Sequence, residues 1–382
     1  MKHRIELLLF FYFTFSAAVN LAFAQTWTTN TAPNLSWTSV ASSADGSRLA
    51  AVAFTGPVYT STNSGSTWNT NASSTSGWKS IASSGDGTIL AACLQSGPGY
   101  ISTNAGSTWQ YFGHSGSFIA MSADGSRLAV ALSGGSIYIS TNNGASWQTS
   151  TAPQKSWSCI ASSANGQKLV AAIANGAIYS SSDFGNTWTS NAVPANQWSS
   201  TAISADGNFA VVVAGWKNGP TGPIFVSTNS SLSWFQANAP VANWVSVAVS
   251  ADGLKMFALV AAGQNPIYTS TNYGLDWVTT SSPNAWWSSI ASSADGGRLV
   301  AAASLIYTMQ TTPSPSINIT PKEGNFILSW LIPSTNFVMQ HSFDLTSWSN
   351  VTNPPVLNLT NLQNELVLPP SNSSGFYRLA TP

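Results

Sequence analysis

Short apolar runs alternate with polar turns along residues 37–310, and the alternation repeats at a nearly constant spacing. The runs are rich in Ala, Val and Ile and are bounded by Gly, Asn, Asp or Ser. Such runs predict β-strands, and none has the periodicity of an amphipathic helix. In the first unit they predict strand A at Ser39–Ser43, strand B at Leu49–Ala53, strand C at Val58–Ser61 and strand D from Trp68.

The first recurring phrase is an aromatic residue, a Ser/Ala/Ile stretch and an Asx-Gly pair. Its seven aromatics follow one another at intervals of 39 to 46 residues: Trp37, Trp78, Phe118, Trp157, Trp198, Trp244 and Trp287. The pairs are Asp45-Gly46, Asp86-Gly87, Asp124-Gly125, Asn165-Gly166, Asp206-Gly207, Asp252-Gly253 and Asp295-Gly296. Asx-Gly between apolar runs is a strong hairpin signal, because a type I′ turn needs positive φ at both central residues. Each pair therefore predicts an A–B turn.

The second phrase joins strands C and D and occurs six times, first as the octapeptide from Ser61 to Trp68. It resembles the Asp box, S-x-D-x-G-x-[ST]-W, of the bacterial neuraminidase repeat family, with Asn replacing Asp in five units. We expect the Asx side chain to accept hydrogen bonds in the turn, Gly to take a conformation that other residues resist, and Trp to fill the sheet core. The fifth copy has Ser231 at the Gly position, and the sixth has Asp276 at the Thr/Ser position. The residues concerned are Asn63, Gly65, Trp68, Asn104, Gly106, Trp109, Asn142, Gly144, Trp147, Asp183, Gly185, Trp188, Asn229, Trp234, Asn272, Gly274 and Trp277.

Four strands in each unit of roughly 42 residues are typical of a β-propeller blade. The fold class is therefore all-β, a seven-bladed β-propeller over residues 25–310. The seventh unit stops after Ile306-Tyr307 without a fourth strand, whereas the N-terminal segment around Trp27 matches the sequence at a strand D. We expect this N-terminal strand to complete the last blade and to close the ring, which removes exposed strand edges.

Segments of different composition flank the repeats. Residues 1–24 have a basic start, an apolar run and an Ala-Phe-Ala site before Gln25, which predict a cleaved signal peptide and a protein that is secreted, periplasmic or on the cell surface. An uncleaved anchor is the alternative; after cleavage we expect no membrane insertion. Residues 311–316 predict a Pro/Ser linker, and 317–382 a small all-β, β-sandwich-like module, which resembles C-terminal modules of secreted proteins from environmental bacteria.

Only 6% of the residues are charged, with 12 basic and 12 acidic side chains, so the chain lacks the basic surface of a nucleic-acid binder. The Asp-box resemblance implies a comparison with sialidases, whose active sites lie among the B–C loops and D–A connections. Glycosidases use two carboxylates. Residues 25–310 contain no Glu, and all eight Asp lie in A–B or C–D turns on the opposite face. Arg48, Arg127 and Arg298 lie beside A–B turns and cannot converge. We therefore predict no catalytic residue, with a sialidase-type exo-glycosidase as the alternative.

Few other residues indicate chemistry. Cys93 and Cys159 lie two blades apart, which predicts buried free thiols, and the single His of the propeller does not make a metal site. We expect no metal and no cofactor.

Two Trp residues have no place in the repeat: Trp216 in an enlarged B–C loop, and Trp286 before Trp287. With Tyr111, His114, Gln154, Lys155 and Asn284 they form the predicted ligand-binding set on the B–C/D–A face, since aromatics with amide donors suit a glycan or an extended peptide. We expect a monomeric, non-enzymatic binding module. The scaffold is also similar to the photosystem II assembly and stability factor family, whose members scaffold partners without catalysis. A third hypothesis is a spacer whose C-terminal module makes the contacts.

Overall fold

The computed structural model describes residues 26–71, 77–95, 97–215, 219–261, 266–311, 317–322, 325–331, 338–353, 355–368 and 376–380. In these ranges the chain forms antiparallel β-sheets and no helix. The predicted signal peptide lies outside the described residues, as does the predicted linker beyond Thr311.

Seven consecutive sheets form the blades of a β-propeller, as the repeats predict. In blades 1 to 3, strands A to D are β2 (Trp37–Ser42), β3 (Leu49–Ala53), β4 (Val58–Ser61) and β5 (Asn69–Thr70); β6 (Trp78–Ser83), β7 (Leu90–Leu94), β8 (Gly97–Ser102) and β9 (Gln110–Gly116); and β10 (Phe118–Met121), β11 (Leu128–Ala131), β13 (Ile137–Ser140) and β14 (Gln148–Thr149). The short strand β12 (Ser133–Gly135) lies in the B–C loop of blade 3.

Blades 4 to 6 follow the same order. Their strands are β15 (Lys155–Ser162), β16 (Leu169–Gly176), β17 (Ile178–Ser181) and β18 (Thr189–Ser190); β19 (Asn196–Ile203), β20 (Ala210–Gly215), β21 (Thr221–Ser227) and β22 (Phe235–Gln236); and β23 (Trp244–Val249), β24 (Met256–Val260), β25 (Tyr268–Ser270) and β26 (Val278–Thr279).

Blade 7 combines both ends of the propeller sequence. It consists of β27 (Ser289–Ser292), β28 (Arg298–Ala302), β29 (Ile306–Gln310) and, as strand D, β1 (Thr26–Thr29). Strand β1 runs antiparallel to β29, with Trp27 opposite Met309. The predicted closure by the N-terminal strand is therefore confirmed.

A closed ring of backbone hydrogen bonds surrounds the propeller axis. It joins the residues that precede the Asx of each A–B turn: the amide of Ala44 donates to Gly85, and the chain of donors continues through Ala123, Ala164, Ala205, Ala251 and Ala294 back to Ala44, at 2.7–2.9 Å. Small residues are needed there because seven backbones converge on one axis. The ring links every blade to both of its neighbours.

Each A–B turn also interlocks with the preceding blade. Asp45 accepts hydrogen bonds from the hydroxyl of Ser43 and the amide of Ser47, at 2.6 and 2.9 Å. Gly46 has φ +71°, and a Cβ there would lie 2.8 Å from Cδ of Arg298 in blade 7. Glycine is thus required both by the turn conformation and by the packing of the neighbouring side chain.

The C-terminal module contains two sheets around Leu328, Trp330, Met339 and Leu366. Its strands are β30 (Asn318–Lys322), β31 (Asn325–Leu331), β32 (Val338–Ser342), β33 (Ser349–Asn350), β34 (Val356–Asn358), β35 (Gln363–Leu368) and β36 (Phe376–Ala380), in the orders β30-β31-β35-β34 and β33-β32-β36. Its predicted β-sandwich-like architecture is confirmed.

The module packs on the axis of the propeller. Leu331, Leu359 and Leu362 contact the alanines of the backbone ring, and Leu362 approaches Gly85, which stands where the other blades have alanine. The C-terminal module therefore contacts the propeller at the ring of residues that precede the A–B turns.

Candidate ligand-binding site

The A–B and C–D turns share one face of the propeller. Nη1 of Arg298, beside the blade 7 A–B turn, donates to Oγ of Ser64 in the blade 1 C–D turn at 2.9 Å. Nζ of Lys168 in blade 4 makes the corresponding contact with Oγ of Ser230 in blade 5, also at 2.9 Å. At these two junctions, the A–B turn of one blade is therefore joined to the C–D turn of the next.

The B–C loops and D–A connections meet on the opposite face. Ser133 in the B–C loop of blade 3 pairs with Ser156 in blade 4, and Ala174 in the B–C loop of blade 4 pairs with Gln197 in blade 5. Each B–C loop here therefore contacts the residues that lead into strand A of the next blade. This second surface is called the loop face below.

All eight carboxylates of the propeller lie in the turns opposite the loop face. Seven accept a hydrogen bond from the preceding Ser hydroxyl, and Asp276 accepts one from Asn272 and one from Asn238. The loop face therefore has no acid of the propeller sequence on it. Lys79, at the start of strand A in blade 2, and Lys155 are its described cations.

Hydrogen bonds in the turns lower the pKa of five of these acids, Asp45, Asp86, Asp124, Asp183 and Asp276. Burial raises the pKa of Asp86, but hydrogen bonds from Ser84 and Thr88 outweigh it and hold the pKa below its ordinary value. Burial also raises the pKa of Asp183, but hydrogen bonds from Thr187 and Ser181 outweigh this effect and lower the pKa. A glycosidase acid needs a raised pKa so that it carries a proton near neutral pH. The pKa values of these carboxyl groups are shifted downwards instead.

The octapeptide turns have one recurring geometry. In the first, Oδ1 of Asn63 accepts from the hydroxyl of Ser61 and the amide of Thr67, both at 2.9 Å, and the indole of Trp68 donates to the carbonyl of Gly65 at 3.1 Å. The same indole bond forms in Trp109, Trp147, Trp188 and Trp277.

Two strand-D Trp residues have a buried indole N–H with no acceptor, Trp27 and Trp234. Trp234 follows the turn in which Ser231 replaces Gly, and Trp27 begins the strand that has no octapeptide before it. The unmet donor thus marks the two blades whose strand D does not follow an octapeptide with Gly at its fifth position.

The structure separates the predicted ligand-binding residues among several blade junctions. Trp216 lies outside the described residues. Gln154 and Lys155 are exposed between blades 3 and 4, where Lys155 pairs with Gly135 of β12. Asn284 and Trp286 lie between blades 6 and 7, and Trp286 is 52% exposed.

Tyr111 and His114 lie on the flank of blade 2 rather than among the loops. Both belong to β9, a seven-residue strand D, whereas five other D strands have two residues. The His114 ring packs on Tyr138, at 4.4 Å between centroids, and near Trp147. His114 therefore lies within strand D rather than in the connection to blade 3, and its imidazole fills an inter-blade contact.

A cavity on the loop face contains residues that the sequence analysis missed. It lies between blades 4 and 5 and has a volume of about 270 Å³, and its polar lining residues include Asn175, Asn196, Gln197 and Thr221. Asn196 and Gln197 precede Trp198 as Lys155 and Ser156 precede Trp157, so the equivalence of blades could have identified them. The cavity extends to Gly215 and Pro220, which flank the loop that carries Trp216.

The remaining reactive groups are buried or isolated. Cys93 and Cys159 are buried free thiols, and burial raises the pKa of both. Among the described residues, no group of three or more His, Cys, Asp or Glu side chains could hold a metal ion. The described part of the chain also has no helix long and apolar enough to cross a membrane.

No protein-family model matches the chain, and the comparison with curated proteins finds no match. Solved structures are similar at low identity. YCF48 from Cyanidioschyzon merolae has a TM-score of 0.58 and 15% identity, over 75% of this chain and 98% of that chain. A structure of YCF48 bound to D1 peptide has a TM-score of 0.58 and 14% identity, over 76% and 97% of the two chains. The Niastella koreensis GH74 enzyme has a TM-score of 0.60 and 14% identity, over 93% and 72%. These likenesses support the propeller fold of this chain.

Proposed function

We propose that the protein is a secreted, non-catalytic binding module that recognises a glycan on its loop face. The proposal rests on the different side chains that the two faces of the propeller carry. Every carboxylate of the propeller is held in a turn on one face, whereas the other face has an amide-lined cavity of about 270 Å³ and the exposed Trp286. We further propose that the chain is a non-catalytic member of the Asp-box family and that it is monomeric.

The lining of this cavity suits hydroxyl groups. The side-chain amides of Asn175, Asn196 and Gln197 each offer donors and an acceptor, and Thr221 adds a hydroxyl. Ala195, Ala214 and Pro220 supply apolar contact between them. A small number of polar groups among apolar ones is usual in ligand sites, although this cavity is slightly below the usual volume range. It therefore suits one sugar unit, with the rest of the chain lying across the loop face.

An extended peptide is the second candidate. It is favoured by the similarity to YCF48, for which a structure bound to D1 peptide is known. Asn284 and Trp286, which are exposed between blades 6 and 7, would contact such a peptide. In this case main-chain hydrogen bonds would replace bonds to sugar hydroxyls.

Glycan-array screening of the purified protein, followed by calorimetric titration of the best ligand, tests the proposal. We expect Asn196→Ala and Trp286→Ala each to weaken binding about tenfold or more, since each removes a group from the contact surface. Leu232→Ala is the matched control, because Leu232 is 85% exposed in a C–D turn on the opposite face. Equal affinity of all three variants and the unmodified protein would place binding elsewhere, and binding of peptides alone would select the second candidate.

A further inference from the structure

A second cavity lies on the face of the A–B and C–D turns, at the junction where the ring closes. Its volume is about 460 Å³, and it is bounded by β1, β28 and β29 of blade 7 and by the A–B and C–D turns of blade 1. The glycan site proposed above lies on the opposite face, so this cavity is a separate feature.

Two equivalent junctions elsewhere in the ring are almost filled. The junctions of blades 1 with 2 and 3 with 4 each leave only about 10 Å³, although they are lined by residues at the same repeat positions. Arg48 and Arg127 stand there where Arg298 stands at the closure, and Gly87 and Gly166 stand where Gly46 stands. The closure junction is therefore enlarged by something specific to blade 7.

The cause is the missing C–D turn of the split blade. In blade 1 the hydroxyl of Ser61 accepts a hydrogen bond from the amide of Gly65 and donates one to Oδ1 of Asn63. These two bonds fold the octapeptide over the junction. Met309 occupies the Ser61 position in blade 7, as its pairing with Leu299 shows, and cannot make these bonds. Among the described residues no C–D turn covers the paired strands β29 and β1, and the cavity lies beside them.

The lining of this cavity combines one cation with many hydroxyl groups. Five threonines and three serines line it, together with Asn30 and Gln310. Leu49, Leu299 and Met309 provide an apolar floor, and Arg298 is the charged residue of the lining. No aromatic ring lines it among the described residues, in contrast to the loop face.

The Arg298 guanidinium is half-buried and incompletely paired. Nη1 donates to Ser64, whereas Nε is buried and has no hydrogen-bond acceptor. Asp45 and Asp295 attract it electrostatically, but both carboxylates accept hydrogen bonds from their own turns. Nε is too deeply buried to reach a ligand, so only the Nη end of this permanently charged group can meet one, and a guanidinium pairs favourably with a carboxylate.

We propose that this closure cavity binds a hydroxylated monocarboxylate, namely a sugar acid of one or two rings. The Nη end of Arg298 would receive the carboxylate, the threonine and serine side chains would bond the ring hydroxyls, and the leucines would contact the apolar ring face. The ligand would bridge β1 to blade 1. Because the cavity exists only in the closed ring, binding would also stabilise the closure.

The test is calorimetric titration and thermal unfolding of the purified protein with D-galacturonate, D-glucuronate and N-acetylneuraminate, with D-galactose as the uncharged comparison. We expect at least one acid to bind and to raise Tm, and galactose to bind at least tenfold more weakly. Arg298→Gln should weaken binding of the acid at least tenfold. Arg48→Gln is the matched control, since its side chain packs on Gly87 as that of Arg298 packs on Gly46, but beside a filled junction.

If Arg298→Gln does not fold, Thr28→Val, which removes an exposed hydroxyl of the lining, should still weaken binding severalfold. Binding by none of the three acids would overturn the proposal, and so would equal loss in Arg298→Gln and Arg48→Gln. Asn196→Ala should leave this binding unchanged, which separates the outcome from that of the loop-face site.

Discussion

Single residues show how closely each position follows from the geometry of the repeat. Five octapeptide turns have Gly at a position with φ between +79° and +89°, and the fifth blade has Ser231 there with φ +65°. The preceding residue also has positive φ in each turn, but Ser230 uses its hydroxyl to bond Asn208 and Lys168. Ser231 thus bears left-handed strain for which no hydrogen bond of its side chain compensates.

We expect Ser231→Gly to stabilise the protein by about 0.5–1 kcal/mol, because relief of the left-handed conformation exceeds the entropy that glycine adds to the unfolded chain. Thermal unfolding should show Tm higher by about 2 °C. Ser230→Gly, the neighbouring control, should not stabilise, since it loses two hydrogen bonds. A lower Tm for Ser231→Gly would contradict this view of the turn.

At the level of elements, the turns and strands were predictable because they repeat. Comparison of seven copies identifies the A–B turns, the octapeptide turns and the strands between them. The repeat does not predict that β9 continues through His114, because the other D strands are shorter. The packing of the His114 ring on Tyr138 accounts for this extension. Ser342–Trp348 was also missed: Asp344 accepts from Ser342, and the Trp348 indole donates to Leu345, in a turn one residue shorter than the octapeptide.

The A–B turns predict an acid-sensitive stability. The pKa values of Asp86 and Asp124 are lowered because hydrogen bonds outweigh the effect of burial. Their contribution is therefore complete above the unfolded pKa near 3.9 and is lost as the pH falls through the lower folded values. Denaturant unfolding between pH 5 and 2 should show stability falling below about pH 4.

Variants of the same turns locate this effect. Asp86→Asn should flatten the pH dependence, whereas Asn165→Asp, at the A–B turn that has Asn, should steepen it. A pH profile unchanged in both variants would mean that the turn carboxylates do not couple to folding.

At the scale of the whole molecule, the propeller was predictable and its union with the C-terminal module was not. Seven copies of the repeat predict seven blades. The seventh copy lacks a strand D, and the N-terminal segment around Trp27 resembles one, so the sequence also predicts the closure. The contact of Leu331, Leu359 and Leu362 with the alanine ring has no sequence signal, because these leucines are scattered and the ring exists only after folding. The closure cavity is similarly invisible, since it results from a turn that is absent.

Docking of the C-terminal module predicts a specific sensitivity to charge at the axis. Leu362→Asp should release the module, because a carboxylate would be buried against the alanine ring without a partner. Limited proteolysis should then cleave residues 311–316 faster, while the propeller remains resistant. Val356→Asp is the control, as Val356 is 71% exposed and outside this contact. Equal cleavage rates in both variants would show that the leucines do not hold the module.

The central claim is that the loop face binds a glycan and does not cleave it. Hydrogen–deuterium exchange with the best array ligand tests it most directly, since the amides report on every blade in one experiment. We predict protection of Ala195–Gln197 and Asn284–Trp286, no change in the A–B and C–D turns, and recovery of the ligand intact. Protection confined to the turns, or release of a cleaved sugar, would contradict the claim.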